Sequence, residues 1–465
     1  MITLTQHAER LPSDLLTPIS LFRKEVGEGG AGILLESAEV GGRWGRYSVC
    51  ASGVLMKLSA KGGFLAVETA DPKLMPLKGL SGLPFPVGLK KVLETLAVLP
   101  DPSGPALPPI TRAVYGYLGY GAASLFEERL RPIMPPGDAE AAFILPAEVF
   151  LCDHAYGRLH RLSLPGPRLP ERVGRSEPKG PWGLQASPGR EEFMDLVGEA
   201  KGLISEGELI QLVLSCGFED AFAGDPFEVY RALRSINPSP YMFHLQLPEL
   251  ALSVSSPEVL VTSDGGRLRL CPIAGTRPRG SDEGEDDLFE AELAANEKEQ
   301  AEHVMLVDLG RNDLGRVAKA GTVEVERFMD VERFSHVMHL TSQIRADLKE
   351  GLDAVDVVSA AFPAGTVSGA PKIRAMELIA RMERVPRGPY AGGVGWFGLD
   401  PGRVDLDFGI TLRGAWIREG RASWRAGAGI VYDSDPESEW RECLAKAEAV
   451  REALEAAGRG AEGGR

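Results

Sequence analysis

The sequence has few of the features that mark membrane, secreted or nucleic-acid-binding proteins. No apolar run approaches the ~20 residues that a membrane-spanning helix needs. The amino terminus, MITLTQHAERLPSDLL, has neither the basic start nor the apolar core of a signal peptide. Basic residues number 51 against 66 acidic ones, and the resulting net charge of -15 repels polyanions. We therefore expect a cytoplasmic protein that binds neither nucleic acid nor membrane.

Cysteine is scarce, and its pattern excludes the usual cysteine chemistry. The 5 cysteines are scattered and lack CxxC spacing, at Cys50, Cys152, Cys216, Cys271 and Cys443. An odd, scattered set matches neither a disulfide framework nor a zinc site. We interpret these residues as reduced thiols in the core of a cytoplasmic protein.

The remaining composition is typical of a globular protein with two domains or one enlarged domain. Of 465 residues, 44% are hydrophobic and 25% are charged. Proline, glycine and charge interrupt the apolar periodicity between Leu164 and Gly189. The boundaries that we predict are an amino-terminal region at 1–164, a linker or surface loop at 165–189, a second region at 190–456 and a flexible tail at 457–465. Strands from both regions can still enter one folded unit.

The second region alternates helix and strand signals. Apolar residues recur at helical spacing from Arg190 to Glu206, and Asp225-Pro226 supplies a cap and a first-turn proline for the next helix. Hairpin-like runs follow in LALSVSS, EVLVTS and RLRLCPI, with a turn at Asp264-Gly265-Gly266 between the last two. The runs GGVGWFGL, DLDFGITLRGAWI and ASWRAGAGIVY predict one strand each, and a last helix begins near Asp435-Pro436. Hairpins joined by short turns predict an α+β fold of mainly antiparallel sheet with helices packed on it.

Three glutamates have positions that suit a hard cation. Glu302 lies in a strongly helical stretch, whereas Glu439 and Glu442 are three residues apart in the first turns of the last helix. Mg²⁺ prefers a few oxygen ligands and completes its shell with water and substrate. Glutamates near a helix start also favour the helix dipole while facing water. Spacing alone favours that second interpretation.

A glycine-rich strand and an arginine suit an anionic ligand. Gly427, Ala428 and Gly429 interrupt the run WRAGAGIVY, where small residues let backbone N–H groups approach an anion. A bulge or tight packing is the commoner cause of such glycines. Arg413 can pair bidentately with a carboxylate, although a lone arginine is more often a surface cation. PAGTVSGAPK lacks the GxxxxGK[ST] pattern, which excludes a nucleotide site of that type.

Two further residues are candidates for proton transfer. Glu258 lies at a Ser-Ser-Pro turn between two apolar runs, where desolvation can raise the pKa of a carboxylic acid and make it a general acid. It can equally be a turn residue that faces solvent. His339 alternates with Val337 and Thr341 in a predicted strand, and a lone strand histidine is more often structural.

Taken together, the segments resemble the chorismate-utilising enzymes, and specifically the anthranilate synthase component I family. The matching stretches follow the family's order: GELIQLVLS, NPSPYMF, SSPEVLV, PIAGTRPRG, AEHVMLVDLGRNDLGRV, SHVMHL, FPAGTVSGAPKIRAMELI, PYAGGVGWFG, TLRGAWI, AGAGIVYDSDPESEW and KAEAV. They cover nearly all of 190–456, and LLES, GRYS, GYLGY and ILPAEVFLCDH extend the resemblance into the amino-terminal region. It implies mainly antiparallel sheets packed face to face, with helices on the outside.

The resemblance also implies an Mg²⁺ cofactor and a set of site residues. Glu302 and Glu439 match the metal ligands, with Glu442 as an outer or water-mediated partner. Glu258 matches the general acid, His339 a histidine implicated in pyruvate loss, and Thr366 a residue that positions the substrate. The residues that match the substrate-binding set are Tyr390, Arg413, Gly427, Ala428, Gly429, Gly275 and Thr276.

Two positions indicate which member of the family this chain resembles most. Related isochorismate and salicylate synthases carry a water-activating lysine at the position of Gln211, and an amide cannot act as that base. Aminodeoxychorismate synthases typically carry lysine in a PIKGT motif, where this chain has Ala274. Both substitutions favour ammonia as nucleophile and anthranilate as product. Cys216-Gly217 departs from the larger polar or basic residues of many relatives.

The resemblance further implies a partner and a regulator. Ammonia would come from a separate glutamine amidotransferase subunit, which makes a hetero-oligomer the expected assembly. The residues that match the family's tryptophan feedback site are Glu36, Ser37, Pro240, Tyr241 and Met242, for which ordinary packing at a domain seam is the alternative. The rival functions are aminodeoxychorismate synthase component I and a non-catalytic tryptophan-binding regulatory subunit.

Overall fold

The structure is a computed structural model that describes residues 1–37, 45–135, 140–170, 185–334 and 337–462. Residues 171–184 of the predicted linker and 463–465 of the predicted tail lie outside the described residues.

The amino-terminal region is built mainly from strands. Its elements are β1 (Ile2–Leu11), α1 (Pro18–Glu25), β2 (Gly32–Glu36), β3 (Tyr47–Lys61), β4 (Phe64–Thr69), α2 (Phe85–Thr95), β5 (Leu96–Pro100), β6 (Ala113–Leu118), α3 (Ala123–Phe126), β7 (Ala141–Asp153) and β8 (Arg158–Ser163).

The second region contributes the longer helices and the remaining strands. Its first elements are β9 (Gln185–Ser187), α4 (Arg190–Ser205), β10 (Gln211–Ala221), α5 (Pro226–Ile236), β11 (Tyr241–Leu247), β12 (Leu250–Ser256), β13 (Val259–Asp264), β14 (Arg267–Leu270), β15 (Ile273–Pro278), α6 (Glu283–Ala295) and α7 (Glu297–Gly315). Its last elements are β16 (Glu324–Arg333), β17 (Val337–Asp347), α8 (Ala354–Ala361), β18 (Gly369–Ala370), α9 (Lys372–Glu383), β19 (Gly393–Gly398), β20 (Leu406–Ile410), β21 (Gly414–Arg418), β22 (Arg421–Ile430) and α10 (Pro436–Glu462).

Two antiparallel sheets branch from the long pair β3–β7. One runs from β3 through β2, β11, β12, β21 and β22 to β10. The other runs from β7 through β6, β19, β20, β13 and β14 to β17. In the part of the chain that is described, β1–β5 is the one parallel pair. The β2–β11 and β6–β19 pairs join the two sequence regions into one folded unit.

The two sheets pack face to face over a shared core. Phe243 and Val254 of the first sheet and Tyr115 and Val394 of the second belong to one buried apolar cluster. On the other face of the first sheet, α4 and α10 cover β10 and β22. The ring centroids of Phe193 in α4 and Trp440 in α10 lie 5.6 Å apart. The predicted α+β class is confirmed. No helix in the described ranges is long and apolar enough to cross a membrane.

Several local predictions agree closely with the structure, and one does not. The helix that opens at Asp225-Pro226 is α5, and the Asp225 side chain accepts a hydrogen bond from Phe227 N at its start. The run DLDFGITLRGAWI, predicted as a single strand, is divided into β20 and β21. The break occurs because Arg413 has a φ of 48°, which no β-strand residue adopts. This break turns the chain beside the site described next.

Candidate active site

Glu258 lies between β12 and β13 and is 8% exposed. Its carbonyl accepts a hydrogen bond from Ile410 N at 3.0 Å, and its Oε1 accepts one from Thr366 Oγ1 at 2.9 Å. Burial raises the pKa of the Glu258 carboxyl to about 8, against the smaller opposing effects of Thr366 and Lys446. Glu258 is therefore protonated at neutral pH, and its role as a proton donor stays a prediction.

Thr366 belongs to a short 3₁₀ turn, Gly365–Val367, between α8 and β18. A Cβ atom on Gly365 would lie 1.7 Å from Leu309 Cδ2, so a larger residue here would displace the Leu309 side chain of helix α7 from the turn. Helix α7 also carries Glu302, so this contact joins the turn that bears Thr366 to the helix that bears Glu302.

The glycines of β22 make room for two polar side chains. A Cβ on Gly429 would lie 2.5 Å from Gln211 Nε2, and one on Gly427 would lie 2.7 Å from the Tyr390 hydroxyl oxygen. The side chain of Ala428 points to the opposite face of the strand and is fully buried in the main core. The site face of β22 is thus formed by the two glycines, with an amide and a phenol above them.

The Gln211 amide connects β10 to helix α7. Its Nε2 lies 3.4 Å from Glu302 Oε1 and donates to it. Its Oε1 is buried and has no hydrogen-bond partner within the described residues. A buried acceptor without a partner is costly unless a ligand satisfies it. Gln211 therefore offers an acceptor to a small N–H donor beside Glu302.

Glutamates from α7 and α10 converge next to this amide. Burial is the main cause that raises the pKa of both Glu302 and Glu439, and the Glu442 carboxylate raises both further. Ser434 donates a hydrogen bond to the Glu439 side chain, which opposes that shift. Glu442 thus lies near enough to both other glutamates to affect their charge, and its role as an outer or water-mediated metal partner stays a prediction.

Lysines partly neutralise the glutamate cluster. Lys298 and Lys446 lower the pKa of Glu302 and of Glu439. Lys446 Nζ lies 2.5 Å from Glu442 Oε1 and donates to Gly427 O at 3.1 Å, so it connects the cluster to the glycine strand.

The donor set suits a hard cation only in combination with other ligands. Among the described residues, no group of three or more His, Cys, Asp or Glu side chains is arranged as a metal site. The carboxylates of Glu302, Glu439 and Glu442 are nevertheless the oxygen donors that Mg²⁺ prefers, and water and substrate normally complete its shell. Their mutual repulsion favours a cation between them, so the residues fit Mg²⁺ bound together with an anionic substrate.

His339 and Arg413 line a cavity of about 140 Å³ on the other side of the site. His339 Nδ1 lies 2.9 Å from Gly275 O and 3.0 Å from Thr276 Oγ1. A proton on Nδ1 that is donated to the Gly275 carbonyl leaves the lone pair on Nε2. Burial lowers the pKa of His339, and Arg413 lowers it further, so the ring is neutral and can accept a proton.

Arg413 has no anionic partner within the ranges that the structure describes. Its Nη1 donates to Asn237 Oδ1 at 3.2 Å, and burial lowers the pKa of its guanidinium. A buried cation without a counter-charge is unfavourable. A carboxylate in the adjoining cavity would supply that charge.

The residues assigned to tryptophan binding lie at the end of β2 and the start of β11, two strands that pair with each other. Glu36 accepts hydrogen bonds from the Tyr230 hydroxyl at 2.7 Å and from Arg234 Nε at 3.2 Å. Met242 pairs with Glu36 across β2–β11, whereas Tyr241 points to the other face of β11 and donates to Asp407 Oδ1 at 3.0 Å.

The other two members of that group flank this strand pair. Ser37 lies directly after β2, and Pro240 lines the His339–Arg413 cavity. The segment at Pro240 therefore adjoins the candidate active site.

Sequence reasoning did not assign Lys446 or Asn237 to the site. Both lie in stretches that carry the resemblance, KAEAV and NPSPYMF, which was the available signal. Their roles depend on Gly427 and Arg413, which approach them only in the folded chain.

Comparisons with known proteins show which family the chain resembles. The family model described as chorismate binding enzyme matches residues 89–452. Anthranilate synthase component 1 of Aquifex aeolicus is 39% identical, with 96% of this chain and 93% of that protein covered. The protein of the same name from Streptomyces coelicolor is 40% identical, with 96% and 88% covered. The crystal structure of anthranilate synthase component I from Streptococcus pneumoniae TIGR4 superposes with a TM-score of 0.73 at 30% identity, covering 95% of this chain and 99% of that one.

Proposed function

The chain belongs to the chorismate binding enzyme family and acts on chorismate, and we propose that it converts chorismate and ammonia to anthranilate and pyruvate. The similar proteins named above carry the name of an enzyme with that product. Mg²⁺ is the proposed cofactor, and Glu302, Glu439 and Glu442 are its proposed ligands.

The observation that carries the proposal is the pairing of a protonated acid with an unpartnered acceptor in one site. Glu258 is neutral because it is buried, and Thr366 orients it. Gln211 presents its free Oε1 beside Glu302. An acid that can protonate a leaving hydroxyl and an amide that can hold ammonia by an N–H group are the two groups that amination with loss of water requires.

The residues of this chain act in two stages. Gln211 Oε1 holds ammonia, whose nitrogen attacks the ring carbon next to the carboxylate-bearing carbon. The double bonds shift, the C–O bond to the hydroxyl breaks, and that oxygen takes the Glu258 proton and leaves as water. The new ammonium group then returns a proton to the Glu258 carboxylate.

The second stage is elimination of pyruvate. The neutral His339 imidazole takes the proton from the ring carbon that bears the new amino group, the ether C–O bond breaks, and the six-membered ring becomes aromatic. The departing pyruvate enolate takes that proton back from the imidazolium, which forms pyruvate and leaves His339 neutral. Arg413, with its uncompensated charge, and Tyr390, above Gly427, bind the substrate's carboxylates. Bound Mg²⁺ would hold the ring carboxylate and act as a Lewis acid.

Two side chains support anthranilate over related products. Gln211 cannot activate water as a base, which disfavours isochorismate. Ala274 is 8% exposed and carries no nucleophile, which disfavours the covalent route to aminodeoxychorismate. The Gln211 amide and the Ala274 methyl group together favour direct attack by ammonia on the ring.

The proposal includes a partner and a regulator. The name "component 1" of the similar proteins supports a second component, for which we propose a glutamine amidotransferase that supplies ammonia. Tryptophan is the proposed feedback inhibitor. Its proposed site lies at the end of β2 and the start of β11, where Glu36 and Pro240 are located. The proximity of Pro240 to Arg413 and His339 around one cavity supports such coupling.

A product assay tests the function directly. The purified chain is incubated with chorismate, Mg²⁺ and an ammonium salt at mildly basic pH, and the product is identified by fluorescence and chromatography. Anthranilate with an equal amount of pyruvate is expected. If the product were aminodeoxychorismate or isochorismate, the chain would have the activity of the corresponding related synthase and the proposal would be wrong. Tryptophan binding without turnover would indicate a regulatory subunit.

A further inference from the structure

A buried ion network lies behind the strand that carries Gln211. Arg387 pairs bidentately with Glu383, with Nε 2.9 Å from Oε2 and Nη2 2.6 Å from Oε1, and both side chains are only 1% exposed. Burial opposes ionisation of Glu383, but Arg387 and Arg425 hold the pKa of its carboxyl below the ordinary value. The network is therefore charged.

The remaining bonds of Arg387 reach two backbone carbonyls in the active site. Nη1 donates to Val367 O at 2.9 Å, and Nη2 donates to Val213 O at 2.7 Å. Val367 directly follows Thr366 in its 3₁₀ turn, and Val213 lies two residues beyond Gln211 on β10. One guanidinium thus joins the turn that orients the proton donor to the strand that holds the amide.

The same network reaches the glycine strand through Ser215. Glu383 Oε1 accepts hydrogen bonds from Ser215 N at 2.8 Å and from Ser215 Oγ at 3.0 Å. Arg425 Nε donates to that hydroxyl at 3.1 Å, and Ser215 pairs with Gly427 across β10–β22. The segments bearing Gln211, Thr366 and Gly427 therefore share one buried support.

We propose that Arg387 is a positioning residue, which holds Gln211 and Thr366 at the separation that the reaction requires. The inference rests on the proposed function, because those two residues are assigned to the nucleophile and to the acid. The planar guanidinium makes four hydrogen bonds in one plane, and lysine cannot reproduce them although it keeps the charge. Without the guanidinium, the Val213 and Val367 carbonyls lose their common hydrogen-bond donor, and the two backbone segments can move relative to each other.

The test is Arg387→Lys with ammonium as nitrogen source. A displacement near 1 Å costs about 100-fold in rate, so kcat falls by about that factor. KM for chorismate changes less than kcat, since Arg413 is untouched and lysine keeps a positive charge near the Tyr390 ring, whose centroid lies 5.9 Å from Arg387 Cζ. Because the Thr366 bond lowers the pKa of Glu258, its weakening also moves the alkaline limb of the kcat profile to higher pH. A purely structural role would not move that limb.

Arg403→Lys is the matched control. Arg403 also grips a buried carboxylate bidentately, with Nε 2.8 Å from Asp405 Oδ2 and Nη2 2.9 Å from Asp405 Oδ1, but it contacts no site residue in the described structure. Its kcat and pH limb should match those of the unaltered protein. A folded Arg387→Lys variant with an unaltered kcat and pH limb would overturn the proposal.

A second variant covers the case in which Arg387→Lys does not fold. Ser215→Ala removes one hydroxyl from the network and keeps all three charges, so kcat should fall about tenfold in a folded protein. Unaltered kcat in folded Ser215→Ala would then overturn the proposal. Failure of the proposed function itself is separate, because it shows in the identity of the product formed by the unaltered protein.

Discussion

Thr366 Oγ1 donates a 2.9 Å hydrogen bond to Glu258 Oε1 and so orients a carboxyl that burial keeps protonated. The bond runs between the turn after α8 and the loop before β13, which are 108 residues apart in sequence. It stabilises the carboxylate form, whereas burial favours the acid, and the balance leaves the pKa near the pH at which the enzyme is expected to work.

The first prediction concerns pH. Because Glu258 must be protonated to act as an acid and its pKa is raised to about 8, kcat should fall as pH rises through about 8. Glu258→Gln should lower kcat by about 10²- to 10⁴-fold, the usual contribution of a general acid, with little change in KM. Steady-state kinetics between pH 6 and about 9.5 test this. A limb that persists in the residual activity of Glu258→Gln would belong to another group.

The second prediction concerns the Thr366 hydroxyl, whose loss should raise the pKa of Glu258. Thr366→Val keeps the shape and removes the bond that lowers the pKa of Glu258. The alkaline limb should therefore move to higher pH while kcat at neutral pH falls about tenfold through lost orientation. Thr322→Val is the control, because its hydroxyl bonds Lys319 O in an exposed turn. A limb that stays in place would show that Thr366 does not set the acidity of Glu258.

Metal binding is tested at the glutamate cluster. Glu302→Gln removes one of the converging carboxylates and should abolish turnover and weaken Mg²⁺ binding at least tenfold, as measured by calorimetric titration in the presence of chorismate. Glu297→Gln is the matched control, because Glu297 is exposed in the first turn of the same helix. Equal Mg²⁺ affinity in both variants would remove Glu302 from the ligand set.

Much of the fold was predictable because its signals are local. The N-cap Asp225 with Pro226 predicts α5 from adjacent residues, and the hairpin around Gly265 and Gly266 is predicted by its turn chemistry. The break at Arg413 was missed, because nothing in the run DLDFGITLRGAWI opposes a continuous strand. Its φ of 48° is not a preference of arginine, so the residue type gave no signal for the break.

The site residues also differ in whether local sequence could identify them. Glu258 was a candidate from burial and turn context alone, whereas the roles of Glu302 and Glu439 came from the resemblance, since spacing favoured solvent-facing glutamates. Periodicity and spacing gave no role for Arg387 or Lys446, because their hydrogen-bond partners are brought near by the sheet and the last helix. Groups that act through distant contacts cannot be found from periodicity.

Burial of Glu258 also predicts a conflict between stability and activity. A carboxyl whose pKa is 4.5 when exposed and about 8 when folded binds a proton more tightly in the folded state. The folded state therefore loses stability as pH rises from 4.5 to about 8, by an amount of the order of 5 kcal/mol. Below pH 4.5 the group contributes no penalty, because it is protonated in both states.

Glu258→Gln removes that penalty, since a neutral amide replaces the acid in a similar volume. The variant should be almost inactive and yet more stable than the unaltered protein at pH 9, by a margin that shrinks towards pH 5. Urea unfolding at both pH values measures the difference. Equal stability at pH 9 would mean that the carboxyl is solvated when ionised, and the assignment of Glu258 as a neutral acid would fail. A stabilised, inactive variant would show that the fold tolerates an unfavourable buried acid because the reaction needs its proton.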